Sequence, residues 1–205
     1  MVRIYGRNSY PEEGPNETCL QSLCEVRDAK QWISDVKWSS DSSTLCVAAH
    51  DCKIYIYDVT YTEIVSGSPH LPVATKASLT LRTTFRKHSA AINHIDISSE
   101  GRYMQSNCSA YELLFCDIGT GKQVTKSSQL KDVDWDTWSC TLGWPVQGIW
   151  QSGMDGSDIN ATARSHSGHL LATADDNGQV HLFRYPVLQK GAAYLSYTGH
   201  SSHCL

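Results

Sequence analysis

Three stretches of this chain align with one another without a gap. They are WISDVKWSSDSSTLCVAAHDCKIYIYDV (32–59), AINHIDISSEGRYMQSNCSAYELLFCDI (91–118) and DINATARSHSGHLLATADDNGQVHLFRY (158–185). A unit that recurs at intervals of tens of residues signals stacked copies of one supersecondary structure, each burying its neighbour's apolar face. The matching columns are those a sheet needs. Ile33, Ile92 and Ile159 align, as do Leu45, Met104 and Leu171 at the start of a second apolar run. Ile54, Leu113 and Val180 align, and so do Ile56, Phe115 and Leu182 two positions on. A period of two marks a strand with one face turned to a core.

Each copy therefore reads as three strands. A polar, flexible turn follows the first (SSDSS, SSEGR, SHSGH), with Ser39, Ser98 and Ser165 in register. A tight turn follows the second (HDCK, SAYE, DDNGQ), and Asn177-Gly178 is the strongest hairpin signal in the chain. A fourth strand is expected after each trio: LTLRTTF (79–85), KQVT (122–125) and AAYLSY (192–197). SLCEV (22–26) reads as an outer strand belonging to the chain upstream.

Four strands per repeat is the pattern of a WD40-type β-propeller. The expected fold class is all-β: about three blades of antiparallel four-stranded sheet, the ring incomplete. The tryptophan-aspartate dipeptide that names such repeats is degraded to Tyr57-Asp58, Cys116-Asp117 and Arg184-Tyr185. Gly-His survives at Gly199-His200 and in part at Lys87-His88. Residues 1–21 read as an N-terminal extension, partly disordered, and 22–205 as the partial propeller. The repeats start farther apart than the usual roughly 40–45 residues, which implies insertions. Residues 60–78, with Pro69 and Pro72, read as a surface loop. Residues 126–157 hold Trp135, Trp138, Trp144 and Trp150, too aromatic for a free loop, so strands at TWSCTLG and VQGIW are expected there. Three blades cannot close a ring, and open sheet edges invite association; the expectation is a truncated product, an isoform or a piece of a longer chain.

Composition excludes several classes. With 40% hydrophobic and 19% charged residues, the 205-residue chain is neither disordered nor built around a membrane span. The N-terminus lacks the apolar core of a secretory signal, which makes the cytoplasm the default location. A net charge of −4 argues against a duplex nucleic-acid binder, despite small basic clusters at Arg82, Arg86, Lys87 and at Lys122, Lys126, Lys131. No nucleic-acid or membrane partner is expected. Cys19 and Cys24, and Cys46 and Cys52, lack the spacing of a zinc pair, so the eight cysteines read as reduced, mostly buried thiols.

Catalytic patterns are incomplete in this sequence. GxSxG is absent. Gly119-Thr-Gly-Lys122 would need a glycine at 116 and a hydroxyl at 123 to form a phosphate-binding loop; the chain has Cys116 and Gln123, and a hairpin turn fits better. The pairs His166/His169 and His200/His203 fall in turns without a third ligand, and Asp155, Asp158, Asp175 and Asp176 lack the alternation of a calcium loop. Asp51 and Asp176 are expected to brace turns. Hence no catalytic, cofactor-binding or metal-binding residue is assigned, no cofactor is expected, and no protein-binding surface is located. Most tryptophans are expected in the core. If one is exposed, a Trp of the 126–157 insertion is the best candidate for a binding anchor.

The stretches DVDWDTWSCTLGWPVQGIW, SDINATARSHSGHLLATADDNGQVHLFRYP, ISDVKWS with AAHDCKIYIYDV, SNCSAYELLFCD and the closing YTGHSSH closely resemble the echinoderm microtubule-associated protein-like (EMAP-like) family. The resemblance covers about residues 22–203. Its Trp-rich insertion has no counterpart in a generic WD40 repeat. What the resemblance implies is a pair of joined atypical propellers that bind tubulin, often preceded by a coiled-coil segment that binds microtubules. No heptad-patterned or basic N-terminal region is present here, nor the family's hydrophobic motif ahead of the propellers. The implied function is a non-enzymatic scaffold that associates with tubulin or microtubules, influences their organisation and resides on the cytoplasmic cytoskeleton. The alternative is a generic WD40 adaptor without tubulin contact; a propeller-borne enzyme would need a convergent catalytic cluster.

Overall fold

The computed structural model describes residues 1–7, 20–66, 72–155 and 158–202. Three four-stranded antiparallel sheets and one two-stranded sheet make up an all-β chain. The first blade is β3 (Ile33–Trp38), β4 (Thr44–Ala49), β5 (Lys53–Ser66) and β6 (Pro72–Phe85). The second is β7 (Ile92–Ile97), β8 (Tyr103–Cys108), β9 (Leu113–Asp117) and β10 (Lys122–Gln123). The third is β11 (Ile159–Arg164), β12 (Leu170–Asp175), β13 (Gln179–Arg184) and β14 (Tyr194–Thr198). In each, sequence neighbours pair in order. Ahead of them β1 (Val2–Arg7) pairs with β2 (Leu20–Val26). The 22–26 segment is thus a strand, and residues 2–7, placed by the sequence in an extension, are its partner; residues 8–19 lie outside the described ones.

The gapless alignment has a physical basis at three points. The first strand of every blade carries the same register shift, between Ile33 and Asp35, Ile92 and His94, and Ile159 and Ala161. The aligned serines each close the first hairpin by accepting a backbone N–H at the side-chain oxygen: Thr44 N to Ser39 Oγ 2.9 Å, Tyr103 N to Ser98 Oγ 2.9 Å, Leu170 N to Ser165 Oγ 3.1 Å. In the first blade Asp41 completes the turn. Hydrogen bonds from Ser39 Oγ and from the backbone and hydroxyl of Ser43 pull its carboxyl down to about 2.

The pairing also corrects the degraded dipeptide. Thr44 pairs with Asp58, Tyr103 with Asp117 and Leu170 with Arg184, so Arg184, not Tyr185, is the counterpart of the two aspartates.

Alternate residues of each sheet face alternate neighbours. Leu45, Val47, Tyr55 and Tyr57 of the first blade pack with Val2 and Ile4 of the two-stranded sheet. Its opposite face, Cys46, Ala48, Ile54 and Ile56, packs against Ile92, Ile95, Ile97, Met104 and Cys116 of the second blade. Burial lifts the Cys46 and Cys116 thiols to about 12, which keeps them protonated and inert. The third core joins Leu171 and Phe183 of the last blade to Trp135, Trp138, Val146 and Ile149 of the insertion.

Two expectations for the insertions fail. Residues 60–78 are not simply a loop: β5 and β6 run on as a long hairpin, paired from Thr60↔Ser78 to Ser66↔Pro72. Thr60, Thr62, Ile64 and Val65 have the β-branching that favours strand, and Pro72 sits at the first position of its strand, where a missing N–H is tolerated. Residues 126–155 form no strand beyond an isolated bridge. They form 3-10 turns at Ser127–Leu130 and Trp144–Ile149 joined by irregular chain, with one isolated bridge, Ser98↔Trp135.

Candidate functional site

Several contacts hold the irregular insertion to the second blade, among them the bond from Asp136 N to Ile97 O (3.0 Å) and a cluster of bonds to one carboxylate. Asp96, on β7 and fully buried, accepts hydrogen bonds from Thr137 Oγ1 (2.7 Å), Ser139 Oγ (2.9 Å), the backbone N–H groups of Ser139 (2.8 Å) and Cys140 (3.0 Å), and Gln105 Nε2 (3.1 Å). These bonds stand in for a sheet ladder and explain why the segment needs no strand. The indole N–H groups are satisfied locally: Trp138 Nε1 donates to Cys140 O (2.9 Å) and Trp150 Nε1 to Thr141 O (3.2 Å).

So anchored, the insertion wedges against the second blade. In the first blade Ile54 and Ile56 are sealed by the next sheet; at the aligned positions of the second blade, Leu113 and Phe115 are only half-buried. They line a cavity of about 910 Å³ together with Val124, Trp135, Trp144 and Tyr185. Phe115 and Trp135 ring centroids lie 6.2 Å apart, and Trp135 meets Trp138 edge-on at 6.4 Å. Arg164 sits over the Tyr185 ring at 5.4 Å and donates to Trp135 O. Lys131, Asp132 and Asp134 also line it, so the lining combines aromatic and apolar side chains with groups of both charges. Such a concavity suits a side chain of another molecule that meets the aromatic walls and also the polar groups that line it, among them Gln123, Lys131 and Asp134.

Trp144, 72% exposed, stands on this cavity as a tryptophan from the insertion. Trp135 and Trp138 are core and Trp150 is half-buried. Trp32, 80% exposed and tilted against His50 with ring centroids 5.9 Å apart, is a second open indole that the sequence reading did not single out. The missed signal was its place one residue before β3, outside the alternating strand.

The other candidates fall where turns were expected. Gly119–Lys122 is the β9–β10 turn, with Thr120 N donating to Asp117 Oδ1 at 2.9 Å. His166 and His169 are exposed in the β11–β12 turn; His203 lies outside the described residues. Asp158 accepts from Asp155 N, and Asp175 from Asn177 N and Gln179 N, so the acidic pairs serve local turns. Asp51 braces the entry to the first blade, accepting from Lys30 N (3.1 Å) and Tyr55 Oη (2.7 Å), and Asp176 accepts from Asn160 Nδ2 (2.8 Å). One mixed group that sequence spacing did not reveal, His88, Cys108 and Glu112, comes together at the second blade.

The family model described as Echinoderm microtubule-associated protein second beta-propeller matches residues 15–205. The chain is 43% identical over 184 residues to the 77 kDa echinoderm microtubule-associated protein of Strongylocentrotus purpuratus, covering 89% of this chain and 25% of that protein. It is 41% identical over 176 residues to Echinoderm microtubule-associated protein-like 2 of Homo sapiens (86% of this chain, 25% of that protein). With Echinoderm microtubule-associated protein-like 4 of Homo sapiens it shares 40% identity over 177 residues (86% and 17%). The chain thus spans about a quarter or less of the length of these relatives.

Proposed function

The chain belongs to the echinoderm microtubule-associated protein family, and from that premise we propose that it acts as a non-enzymatic scaffold contacting tubulin or microtubules and influencing their organisation. The observation that carries this reading is the match to the family's second propeller, with relatives whose names state microtubule association. Cytoplasmic, cytoskeletal residence follows from the same reading.

The chemistry of the described residues supports a binding role over catalysis. Carboxylates that could have served as acids or bases are spent on turns and on anchoring the insertion. The aromatic cavity under Trp144 is the surface best suited to a protein contact, because a large exposed indole beside a preformed hollow with aromatic walls is what binding anchors resemble.

The test is co-sedimentation of this chain with microtubules and capture of soluble tubulin, alongside Trp144→Ala. Binding is expected in at least one assay, and the variant should weaken it roughly fivefold to thirtyfold, about 1–2 kcal/mol, without loss of folding. Binding that survives Trp144→Ala unchanged places the contact elsewhere on the blades. No binding in either assay, with the fold intact, favours an adaptor for other proteins.

A further inference from the structure

We propose that the cavity beside Trp144 seats an aromatic side chain carried on an extended segment of a partner protein, whose backbone adds to the open edge of β9 at Leu113. That the partner is a protein rests on the scaffold reading above.

The place is defined by a gap in the repeat. In the first blade the fourth strand sets Thr83, Thr84 and Phe85 opposite Ile56, Tyr55 and Ile54. In the third blade Leu195, Ser196 and Tyr197 lie opposite Leu182, His181 and Val180. The aligned residues of the second blade are Phe115, Leu114 and Leu113, but β10 pairs only with Asp117 and Cys116. One further bond, Val124 N to Phe115 O at 2.9 Å, ends the ladder. The chain then turns into the 3-10 segment Ser127–Leu130, with Gln129 N donating to Lys126 O at 3.0 Å. Lys126, which a continued register would set opposite Leu113, is exposed instead.

The edge left open carries backbone polar groups. Cys108 N donates to Glu112 O and Ile118 N to Arg102 O, so the even-numbered residues from 112 to 118 turn their peptide groups to β8. Leu113 and Phe115 turn theirs to the other side. Among the described residues no hydrogen bond reaches Leu113 N or Leu113 O there. A strand edge in this state is a template for an added strand. A residue directly opposite Leu113 in antiparallel pairing exchanges both bonds with it, one to each of these groups.

The cavity begins at the same edge. Leu113, Leu114 and Phe115 all line it, although successive side chains of a strand point to opposite faces, so it reaches the backbone as well as one face. Its volume of about 910 Å³ lies near the top of the roughly 300–1,000 Å³ that binding clefts occupy. The other two blades show which side chain suits the position, because both set an aromatic ring there: Phe85 and Tyr197. Phe85 is buried with Ile54 and Ile56 in the core between the first two blades. The same register puts the partner's ring on the face of Leu113 and Phe115, where Trp135 and Tyr185 also wall the cavity. Aromatic pairs reward that placement beyond burial alone. Because Val124 holds the place opposite Phe115, the added segment begins close to its aromatic residue and continues past Glu112.

The probe is the capped peptide acetyl-Thr-Phe-Arg-Lys-amide, the sequence of residues 84–87. It is titrated into the whole chain while amide hydrogen exchange is followed by NMR. Binding is expected at about millimolar or tighter, with exchange of the Leu113 amide slowed. Alanine in place of the phenylalanine should weaken binding at least about tenfold. Methylating the phenylalanine nitrogen, which removes the donor to Leu113 O, should weaken it about fivefold. Val124→Trp, which fills the cavity from the chain's own side, should abolish binding with the melting temperature unchanged. No binding in the millimolar range, equal binding by the alanine peptide, or unchanged Leu113 exchange at saturation would overturn the proposal. Microtubule co-sedimentation separates this failure from that of the scaffold reading. Microtubule binding that depends on Trp144, without peptide binding, sinks the added strand and leaves the scaffold. Peptide binding by a chain that meets neither microtubules nor tubulin does the reverse.

Discussion

At the scale of single residues, two columns of the repeat take a left-handed backbone in every blade. Ser42, Gly101 and Gly168 share one, with φ of 60°, 72° and 70°; Cys52, Tyr111 and Gly178 share the other, with φ of 62°, 61° and 72°. Glycine is the residue suited to that region, and other L-residues there carry strain on the order of 1–3 kcal/mol. Cys52→Gly should therefore raise the melting temperature, by about 0.5–1 kcal/mol of stability after the extra freedom of the unfolded chain is counted. The converse change, Gly178→Ala, should lower it by about 1–3 kcal/mol, since the added carbon also meets Ser202 O at 2.6 Å and His200 O at 2.9 Å. Calorimetry on the two variants checks both signs; equal melting temperatures would mean that the turn geometry is not shared between blades.

At the scale of elements, one buried carboxylate ties the insertion to the second blade. Asp96 gathers donors from Gln105, Thr137, Ser139 and Cys140 in a buried place. Removing it leaves those donors unpaired, each at about 1–3 kcal/mol. Asp96→Ala should thus destabilise the protein by at least about 3 kcal/mol, and the emission of Trp135 and Trp138 should shift to the red as the insertion loosens. A red shift with no change in the far-ultraviolet strand signal would show that the blades outlast the insertion. The sequence carries Asp96 in an otherwise apolar strand, INHIDI, but nothing in that spelling says which backbone it will hold. For the same reason, the strands expected at TWSCTLG and VQGIW did not materialise: the aromatic content was legible, the hydrogen-bond partner was not. The β5–β6 extension erred the other way, where prolines suggested a loop and β-branched residues made strand.

At the scale of the whole molecule, one apolar face has no cover among the described residues. On the third blade Ala172 and Ala174 pair with Leu182 and Val180, which pair in turn with Leu195 and Tyr197, so these six side chains share a face. Leu195 and Tyr197 are exposed, whereas the equivalent face of the first blade, with Ile54 and Ile56, is fully buried by its neighbour. An apolar sheet face of this kind promotes association. The joint substitution Leu195→Lys, Tyr197→Lys should reduce hydrophobic-dye binding and self-association in light scattering, with little change in melting temperature. Unchanged dye binding would locate the exposed surface elsewhere, such as the cavity beside Trp144. The sequence by itself determined the repeat and the strand order within each blade, because these follow from local pairing and periodicity, while the family was legible only as a resemblance of particular stretches such as DVDWDTWSCTLGWPVQGIW. Tertiary structure alone decided what lies opposite each apolar face: another blade for Ile54 and Ile56, a half-open aromatic cavity for Leu113 and Phe115, and solvent for Leu195 and Tyr197. Residue spacing fixes which way a side chain points along a strand, but burial depends on what stands opposite it, and that is set by contacts distant in the chain.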